Sequence, residues 1–177
     1  MQFRDLKSQY QVLKSDIDQA IQNVLNESSF IMGRQVSALE QDLAIYTGVR
    51  YCIACANGTD ALSLALMAWG IKAGDAVFVP DFTFFATGEV VSLIGATPVF
   101  VDVDAVTFNM DPIKLEAAIK DVLAEGKYRP RAVIPVDLFG LPADYQEISK
   151  IAKKYDLYIL EDGAQGFGGS VDTRRAC

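Results

Sequence analysis

The chain has 177 residues, of which 51% are hydrophobic and 22% are charged, a composition typical of a single globular domain with a substantial core. Its formal net charge is −7 and its pI is about 4.6, so it repels nucleic acid and anionic lipid, and we expect neither as a partner. No apolar run is long and uncharged enough to predict a membrane-spanning helix.

The N-terminal part of the chain is predicted to be helical. In residues 6–25 apolar side chains recur at steps of three and four residues, and residues 35–46 repeat this spacing. Gly33 lies between the two segments and is expected to separate the helices. We therefore assign residues 1–48 to an N-terminal helical arm and residues 49–177 to a separate domain.

After Gly48, short apolar runs alternate with helical segments. The runs are YCIACA, AVFVP, TPVFVDV, RAVIPVDL and LYILED. Helices are predicted from Thr59, near 83–94, from Asp111-Pro112 and near 143–154. This alternation predicts an α/β fold with five strands, a mostly parallel sheet and helices on both faces.

The cysteines are interpreted as structural residues. Cys52 and Cys55 form a CxxC, but on a predicted strand their side chains point to opposite faces, and the chain has no histidine to complete a metal site. We therefore expect no metal and expect both cysteines to be small buried side chains. The first ten residues do not resemble a secretory signal, and with three cysteines this favours a reducing cytoplasm.

Polar residues gather where the predicted strands end. The segments are NGTDA, PDFTFFAT, VDLFG and EDGAQGFGG, after the first, second, fourth and fifth strands. In an open parallel sheet, ligands bind beyond the carboxyl ends of the strands. Together these segments predict a ligand site at that edge.

The turn NGTDA is predicted to bind a phosphate group. Gly58 allows a ligand to approach the backbone, and the amides of Thr59 and Asp60 are expected to be free at the start of the helix, where the dipole favours an anion. The alternative is an ordinary turn in which Thr59 or Asp60 caps its own helix. A dinucleotide cofactor is disfavoured because the turn lacks the GxGxxG fingerprint.

Three further side chains suit a flat, charged ring. Phe84 can stack on such a ring, although Phe82, Phe84 and Phe85 can also be core residues, as we expect for two of the three. Asp162, at the end of the fifth strand, can pair with a protonated pyridine nitrogen or simply cap the next turn. Gln165 can donate an amide N–H to a phenolate-type oxygen.

The chain resembles a known family in several motifs that follow one another in order. The motifs are CANGTDAL, GDAVFVPDFTFFAT, GATPVFVDVD, IPVDLFGLPADY and ILEDGAQGFGGS. They resemble the DegT/DnrJ/EryC1/StrS family of aminotransferases, and the resemblance extends from FRDLKSQY to the last residues. It implies the N-terminal part of the large domain of a fold-type I aminotransferase, with pyridoxal 5′-phosphate as cofactor and residues 49–177 as a partial cofactor-binding domain.

The resemblance also implies roles for particular residues. It assigns the cofactor phosphate to Gly58, Thr59 and Asp60, ring stacking to Phe84, the ring nitrogen to Asp162 and the 3-hydroxyl to Gln165. It implies a nucleotide-linked keto-sugar on a UDP or dTDP carrier as substrate, glutamate as the usual amino donor, and a homodimer of the full-length protein. The arm segment SSFIMGRQV resembles a segment of the family that lies near the substrate.

One feature of the family is not found in this chain. The family's Schiff-base lysine lies beyond the EDGAQ segment, in a stretch resembling TSFFPxKPLG, and the chain ends at Cys177 before such a stretch. We therefore expect no catalytic residue in this chain, which would be an N-terminal half that is inactive alone. In the family the first strand pairs with the last, so strand 49–55 is expected to lose its usual neighbour.

Two other functions remain open. The chain can be a non-catalytic regulatory relative of the same family that binds the cofactor without turnover. A nucleotide-binding dehydrogenase is also considered, but the missing glycine fingerprint disfavours it.

Overall fold

The structure is a computed structural model that describes residues 4–176. Its internal contacts divide the chain into two compact units, Met1–Ala54 and Cys55–Cys177. The first unit therefore extends slightly beyond the predicted arm of residues 1–48. The two units are described separately.

The first unit contains two helices, as the apolar spacing predicts. Helix α1 (Leu6–Glu27) begins after Asp5, whose carboxylate accepts the backbone N–H of Ser8 at 2.9 Å. Helix α2 (Arg34–Thr47) begins after Gly33, so the predicted break between the helices is confirmed. The apolar stripe of α1 is exposed, since none of its residues is buried.

The predicted first strand is not formed, and this prediction was wrong. Residues 49–55 have no regular secondary structure, although the backbone N–H of Ala54 donates to Glu40 Oε1 at 2.8 Å. A strand needs a neighbour to bond its backbone groups, and within residues 4–176 no strand pairs with this segment. Apolar composition alone therefore does not make it a strand.

The cysteines of this segment are also placed differently from the prediction. Cys52 is half-buried and Cys55 is exposed, and both are free thiols. Without a strand and a covering layer, neither side chain becomes a core residue. The expectation that both are buried is wrong.

The second unit is an α/β domain. Its helices are α3 (Gly58–Ala68), α4 (Ala86–Leu93), α5 (Pro112–Glu125) and α6 (Tyr145–Tyr155). Its main sheet contains β1 (Asp75–Pro80), β2 (Thr97–Val101), β3 (Arg129–Val133) and β4 (Tyr158–Ile159), all parallel in the order β2-β1-β3-β4. Two short strands, β5 (Ser170–Val171) and β6 (Arg174–Arg175), form an antiparallel pair. Four of the five predicted strands are thus confirmed.

Helices cover both faces of the sheet, as predicted. Every residue of the central strand β1 is buried. Val77 and Val79 belong to the core shared with α3 and α4, whereas Ala76 and Phe78 belong to the core shared with α5 and α6. A strand buried on both faces has an uninterrupted apolar sequence, and this explains the run AVFVP.

The short connections set the direction of the helices. Helix α3 leads through residues 69–74 into β1 and packs on the sheet, so it runs antiparallel to the strands and begins at their carboxyl edge. Helix α4 connects β1 to β2 in the same way. On the other face, α5 begins with Pro112 after Asp111, whose carboxylate accepts the N–H of Ile113, so the predicted start of this helix is confirmed.

No helix in the part of the chain that the structure describes is both long enough and apolar enough to cross a bilayer.

Candidate functional site

Two strand-end turns lie side by side at the carboxyl edge of the sheet. The backbone N–H of Asp162 donates to Pro135 O at 2.9 Å, and that of Asp137 donates to Asp162 O at 3.1 Å. Val136 and Asp162 form an isolated parallel bridge beyond the ends of β3 and β4. The segments VDLFG and EDGAQG are therefore neighbours, as expected for strand ends at one edge.

The carboxylate of Asp162 is directed towards helix α4. Its Oδ2 accepts the hydroxyl of Thr87 at 2.8 Å, and its Oδ1 accepts the N–H of Ala164 at 3.3 Å. Thr87 is fully buried in α4. Because α3 and α4 cover the same face of the sheet, Asp162 and the start of α3 lie on one face and at one edge.

The start of α3 differs in part from the prediction. Asn57 caps the helix: its Oδ1 accepts the N–H of Asp60 at 2.9 Å, and its Nδ2 donates to Asp60 Oδ2 at 3.1 Å. The expectation of a free Asp60 amide is therefore wrong, as is the alternative that Thr59 or Asp60 caps the helix. The reason is local, because Asn at the N-cap position is a strong acceptor for the third helical N–H.

Two backbone donors and a hydroxyl remain available at this helix start. The amides of Gly58 and Thr59 and the hydroxyl of Thr59 form no hydrogen bond with residues 4–176. A Cβ at Gly58 would have no atom within 4 Å, so the space beside it is open. An open helix start with unpaired amides suits an anion.

The phenylalanines after β1 are exposed. Phe82, Phe84 and Phe85 have exposed fractions of 49%, 72% and 75%. The expectation that two of the three belong to the core is wrong, because the turn between β1 and α4 lies past the edge of the sheet and no helix or strand described in this domain covers it. Phe84 and Phe85 line a shallow cleft together with Phe100.

Gln165 has a fixed side-chain amide. Its Oε1 accepts the backbone N–H of Phe139 at 2.8 Å, in the turn after β3. Its Nε2 forms no hydrogen bond within the described part of the chain, so its donors are free. This arrangement agrees with the predicted ability of Gln165 to donate an N–H.

Asp137 is a buried residue that was not singled out in the sequence. Its Oδ1 accepts the hydroxyl of Tyr145 at 2.7 Å and the N–H of Ala143 at 3.0 Å, whereas its buried Oδ2 has no hydrogen-bond partner among residues 4–176. Burial, followed by the hydrogen bond to Asp137, raises the pKa of Tyr145 above its usual range. An acid within the apolar run VIPVDL was the available signal.

Asn109 is a second buried polar residue that the sequence reasoning missed. Its Nδ2 donates to Leu141 O at 2.9 Å and Pro142 O at 3.2 Å, and its Oδ1 accepts the N–H of Leu138 at 3.3 Å. It thus fastens both ends of the turn after β3. Partners more than twenty residues away leave no local sequence signal.

Three phenylalanine rings from successive strand-end loops meet at this edge. The ring centroids of Phe82 and Phe108 are 5.8 Å apart, and those of Phe139 lie 6.5 Å from Phe82 and 6.4 Å from Phe108. Phe108 and Phe139 have left-handed backbones, with φ of 61° and 57°. Such conformations cost energy for a bulky residue and concentrate at functional sites.

Lys114 lies in the first turn of helix α5 and forms an ion pair with Asp102, which follows β2. This hydrogen bond raises the pKa of Lys114. Within residues 4–176 no group of three His, Cys, Asp or Glu side chains could hold a metal ion.

The fold and this edge define a class of protein: a doubly wound α/β domain that presents a helix start with unpaired amides and a carboxylate on the same face of a parallel sheet. The chain belongs to the DegT/DnrJ/EryC1/StrS aminotransferase family, whose family model matches residues 11–177. The cofactor of this family is pyridoxal phosphate.

Two curated relatives show the range of the family. UDP-2-acetamido-2-deoxy-3-oxo-D-glucuronate aminotransferase of Pseudomonas aeruginosa is 48% identical, over all of this chain and 47% of that protein. A pleiotropic regulatory protein of Geobacillus stearothermophilus is 44% identical, over 96% of this chain and 44% of its own length. The chain thus spans about half the length of the curated relatives it matches.

Solved structures confirm the fold class. An aminotransferase of this family from Brucella abortus has a TM-score of 0.98 and 50% identity, over 99% of this chain and 47% of that one. NtdA from Bacillus subtilis, solved with bound cofactor PMP, has a TM-score of 0.80 and 37% identity, over 87% of this chain and 34% of that one. The predicted N-terminal part of an aminotransferase large domain is confirmed.

The side chains at the edge suit this cofactor in their chemistry. The open start of α3 offers two amides and a hydroxyl to a phosphate, Asp162 offers a carboxylate, and Gln165 offers an amide donor. These are the groups that a phosphorylated pyridine with a phenolic oxygen requires.

Proposed function

We propose that this chain is the cofactor-binding half of a pyridoxal-phosphate-dependent aminotransferase that converts a nucleotide-linked keto-sugar to an amino-sugar. The observation that carries the proposal is the placement of Asp162. Its carboxylate is held by buried Thr87 on the sheet face whose carboxyl edge carries the open start of α3.

Each residue of the proposed site has a distinct task. The amides of Gly58 and Thr59 and the hydroxyl of Thr59 would bind the phosphate, and Phe84 would stack on the ring. The amide of Asp60 is occupied by the cap, so Asp60 would act by keeping the helix start in shape. The bound cofactor supplies an electron sink for amino transfer.

Asp162 and Gln165 would set the electronic state of the ring. Asp162 would pair with the ring nitrogen and keep it protonated, and Thr87 would hold the carboxylate in place. Gln165 would donate from Nε2 to the 3-hydroxyl oxygen, because its Oε1 is already bonded to Phe139. The role of Gln165 follows from its amide nitrogen, which forms no hydrogen bond within the described residues.

The substrate and partners of the whole protein are part of the proposal. We infer a keto-sugar on a UDP or dTDP carrier, with glutamate as amino donor, a homodimer as the full-length form and a cytoplasmic location. The name of the 48% identical Pseudomonas relative, which acts on a UDP-linked 3-oxo sugar acid, supports a UDP carrier.

The 177-residue chain is proposed to be inactive alone. Its lysines lie in helices or in connections away from the turns after β3 and β4, and Lys114 is ion-paired with Asp102. After incubation with pyridoxal phosphate and borohydride reduction, intact-mass and peptide analysis should show no adduct concentrated on one lysine. A stoichiometric adduct at a single lysine contradicts this part of the proposal.

Cofactor binding itself is tested with pyridoxamine phosphate, which needs no lysine. Titration of the chain, followed by calorimetry, should show one saturable site. Asp162→Ala removes the partner of the ring nitrogen and should weaken binding about tenfold, the loss of one charge-assisted hydrogen bond. The control Glu147→Ala changes an exposed carboxylate on α6 and should leave the affinity unchanged. Equal affinities of all three proteins overturn the proposed site.

A second candidate is a regulatory relative that binds the cofactor without amino transfer. The name of the 44% identical Geobacillus relative, a pleiotropic regulatory protein, supports this second candidate. The two candidates share the cofactor site, so binding does not separate them. The gene beyond the Cys177 codon does: a lysine in an SFFPxK-like stretch indicates the enzyme, and another residue at that position indicates the regulator.

A further inference from the structure

The turn after β3 contacts the turn after β4 through Asp137 and Phe139, to which no cofactor role is assigned. We propose that Asp137 and the backbone N–H of Phe139 are positioning elements that hold the carboxamide of Gln165 with its Nε2 facing the ligand. The identity of that ligand rests on the proposed function, whereas the positioning itself rests on the contacts within this domain.

The Gln165 amide is held in one orientation. A glutamine side chain can present either its oxygen or its nitrogen to a neighbour. The backbone N–H of Phe139 can only donate, and it lies 2.8 Å from Gln165 Oε1. This bond selects one of the two amide orientations and leaves both Nε2 protons for another acceptor. Gln165 is exposed, so without Phe139 its amide would sample many orientations.

The turn that carries Phe139 lies against Gln165. Phe139 has a left-handed backbone with φ of 57°, and the next residue, Gly140, has φ of 86°. A Cβ at Gly140 would lie 3.3 Å from Gln165 O, so this turn is in close contact with the backbone of Gln165. The left-handed turn at Phe139 and Gly140 therefore contacts Gln165 twice, through the N–H of Phe139 at its side chain and through Gly140 at its backbone.

Asp137 is buried and contacts the turn after β4. Its Oδ1 is fixed by Tyr145 and Ala143, and its backbone N–H donates to Asp162 O. A Cβ at Gly166 would lie 2.6 Å from Asp137 Oδ2 and 2.7 Å from Asp137 Cβ. The backbone next to Gln165 therefore rests directly on the buried Asp137 side chain.

These contacts join into one unit. The side chain of Asp137 packs against Gly166, and its backbone N–H donates to Asp162 O. The backbone N–H of Phe139 orients the carboxamide of Gln165. A binding group held by such supporting contacts stays within a narrow geometry. Asp137 thus acts on a ligand through Gln165 without touching the ligand.

The two roles of Gln165 are separated by a pair of variants. Gln165→Glu keeps an oxygen acceptor for Phe139 but loses the amide donor, whereas Gln165→Ala loses both. Amide hydrogen exchange of Phe139, followed by NMR, should stay slow in Gln165→Glu and become at least about tenfold faster in Gln165→Ala. Both variants should bind pyridoxamine phosphate about tenfold more weakly than the unmodified chain.

A second pair tests Asp137. Asp137→Asn keeps an oxygen in the Oδ1 position, so Phe139 protection and affinity for pyridoxamine phosphate should stay within about twofold of the unmodified chain. Asp137→Ala leaves Tyr145 and Ala143 without their acceptor and should lower both quantities about tenfold. The control Asp144→Ala removes the N-cap of the same helix α6 and should lower stability without changing Phe139 exchange.

The outcomes separate this inference from the proposed function. Equal exchange of the Phe139 amide in the unmodified chain and in Gln165→Ala overturns the positioning role of Phe139. A loss of protection in Asp144→Ala as large as in Asp137→Ala overturns the specific role of Asp137. If Asp137→Ala does not fold, the Gln165 pair and Asp137→Asn decide. If the unmodified chain does not bind pyridoxamine phosphate, the proposed function fails, while the exchange results still decide the positioning.

Discussion

At the amino edge of the sheet, the buried carboxylate of Asp75 accepts Arg129 Nε at 3.0 Å, Arg129 Nη2 at 2.8 Å and the N–H of Lys72 at 3.1 Å. At the carboxyl edge, the buried carboxylate of Asp137 uses one oxygen for two donors and leaves the other without a hydrogen bond to residues 4–176. Both carboxylate oxygens of Asp75 accept hydrogen bonds, whereas within the described residues only one of the two carboxylate oxygens of Asp137 does.

The two edges also differ in which residues have positive φ and in how many phenylalanines are exposed. The amino edge turns at Gly74 and Gly126, which adopt positive φ without strain, and at Asp156, a residue type that tolerates positive φ. At the carboxyl edge the bulky Phe108 and Phe139 adopt positive φ, which costs energy. The phenylalanines of the carboxyl edge are also exposed. The amino edge is thus built for stability, and the carboxyl edge retains strain and free polar groups that a binding site can use.

The largest loss of stability is expected from adding a side chain at Gly166, which lies in tight contact with Asp137 at the carboxyl edge. Gly166→Ala would place a methyl group 2.6 Å from Asp137 Oδ2, so the free energy of unfolding in urea should fall by about 1–3 kcal/mol. The control Gly58→Ala meets no atom within 4 Å and should keep or slightly raise stability. If the two variants have equal free energies of unfolding, the turn accommodates a methyl group at residue 166 without losing stability, and the prediction is wrong.

The next largest loss of stability is expected from removing the charge of Asp75 at the amino edge. Asp75→Asn replaces the charged acceptor of Arg129, whose side chain is 62% exposed, so solvent compensates part of the loss. We expect the free energy of unfolding to fall by about 1–2 kcal/mol. The control Asp156→Asn lies at an exposed left-handed position that suits Asn and should change stability by less than about 0.5 kcal/mol.

A smaller effect, of opposite sign, is expected from relieving strain. Phe139→Gly removes the penalty of a left-handed non-glycine residue, and its ring is 72% exposed. The free energy of unfolding should stay unchanged or rise by up to about 1 kcal/mol. A fall of more than about 1 kcal/mol in chemical denaturation would show that the three-ring cluster outweighs the strain.

The smallest effect concerns a surface contact away from both edges. Glu116 accepts Lys154 Nζ at 2.6 Å and the hydroxyl of Tyr155 at 3.0 Å, and these bonds, the Lys154 bond first, lower the pKa of Glu116 to about 2. The contact therefore stabilises the folded chain above the ordinary pKa of 4.5, and this contribution is lost as the pH falls from 4.5 to about 2.

Glu116→Gln tests this contribution. Its urea midpoint should lie slightly below that of the unmodified chain at pH 7, and the difference should shrink between pH 4.5 and pH 3 and in high salt. A difference that stays constant over this pH range contradicts the assignment to the Glu116 charge.

Much of the fold was predictable because it is encoded locally. The alternation of apolar runs and helical spacing predicted five strands, of which four form, and helices on both faces, and Asp111-Pro112 predicted the start of α5. The proximity of the turns after β3 and β4 was also predictable, because strand ends of a parallel sheet meet at one edge. The cofactor roles of Gly58, Thr59, Phe84, Asp162 and Gln165 remain predictions.

What failed depended on partners elsewhere in the chain. Residues 49–55 have the composition of a strand but no neighbouring strand among the residues described, and the phenylalanines after β1 have no layer above them. The pairing of Asp137 with Gly166 and of Gln165 with Phe139 joins residues more than twenty positions apart. The sequence alone determined periodicity, caps and the order of elements, because those depend on neighbouring residues. Only the tertiary structure decided which groups are covered, paired or left free, because that depends on distant residues meeting in space.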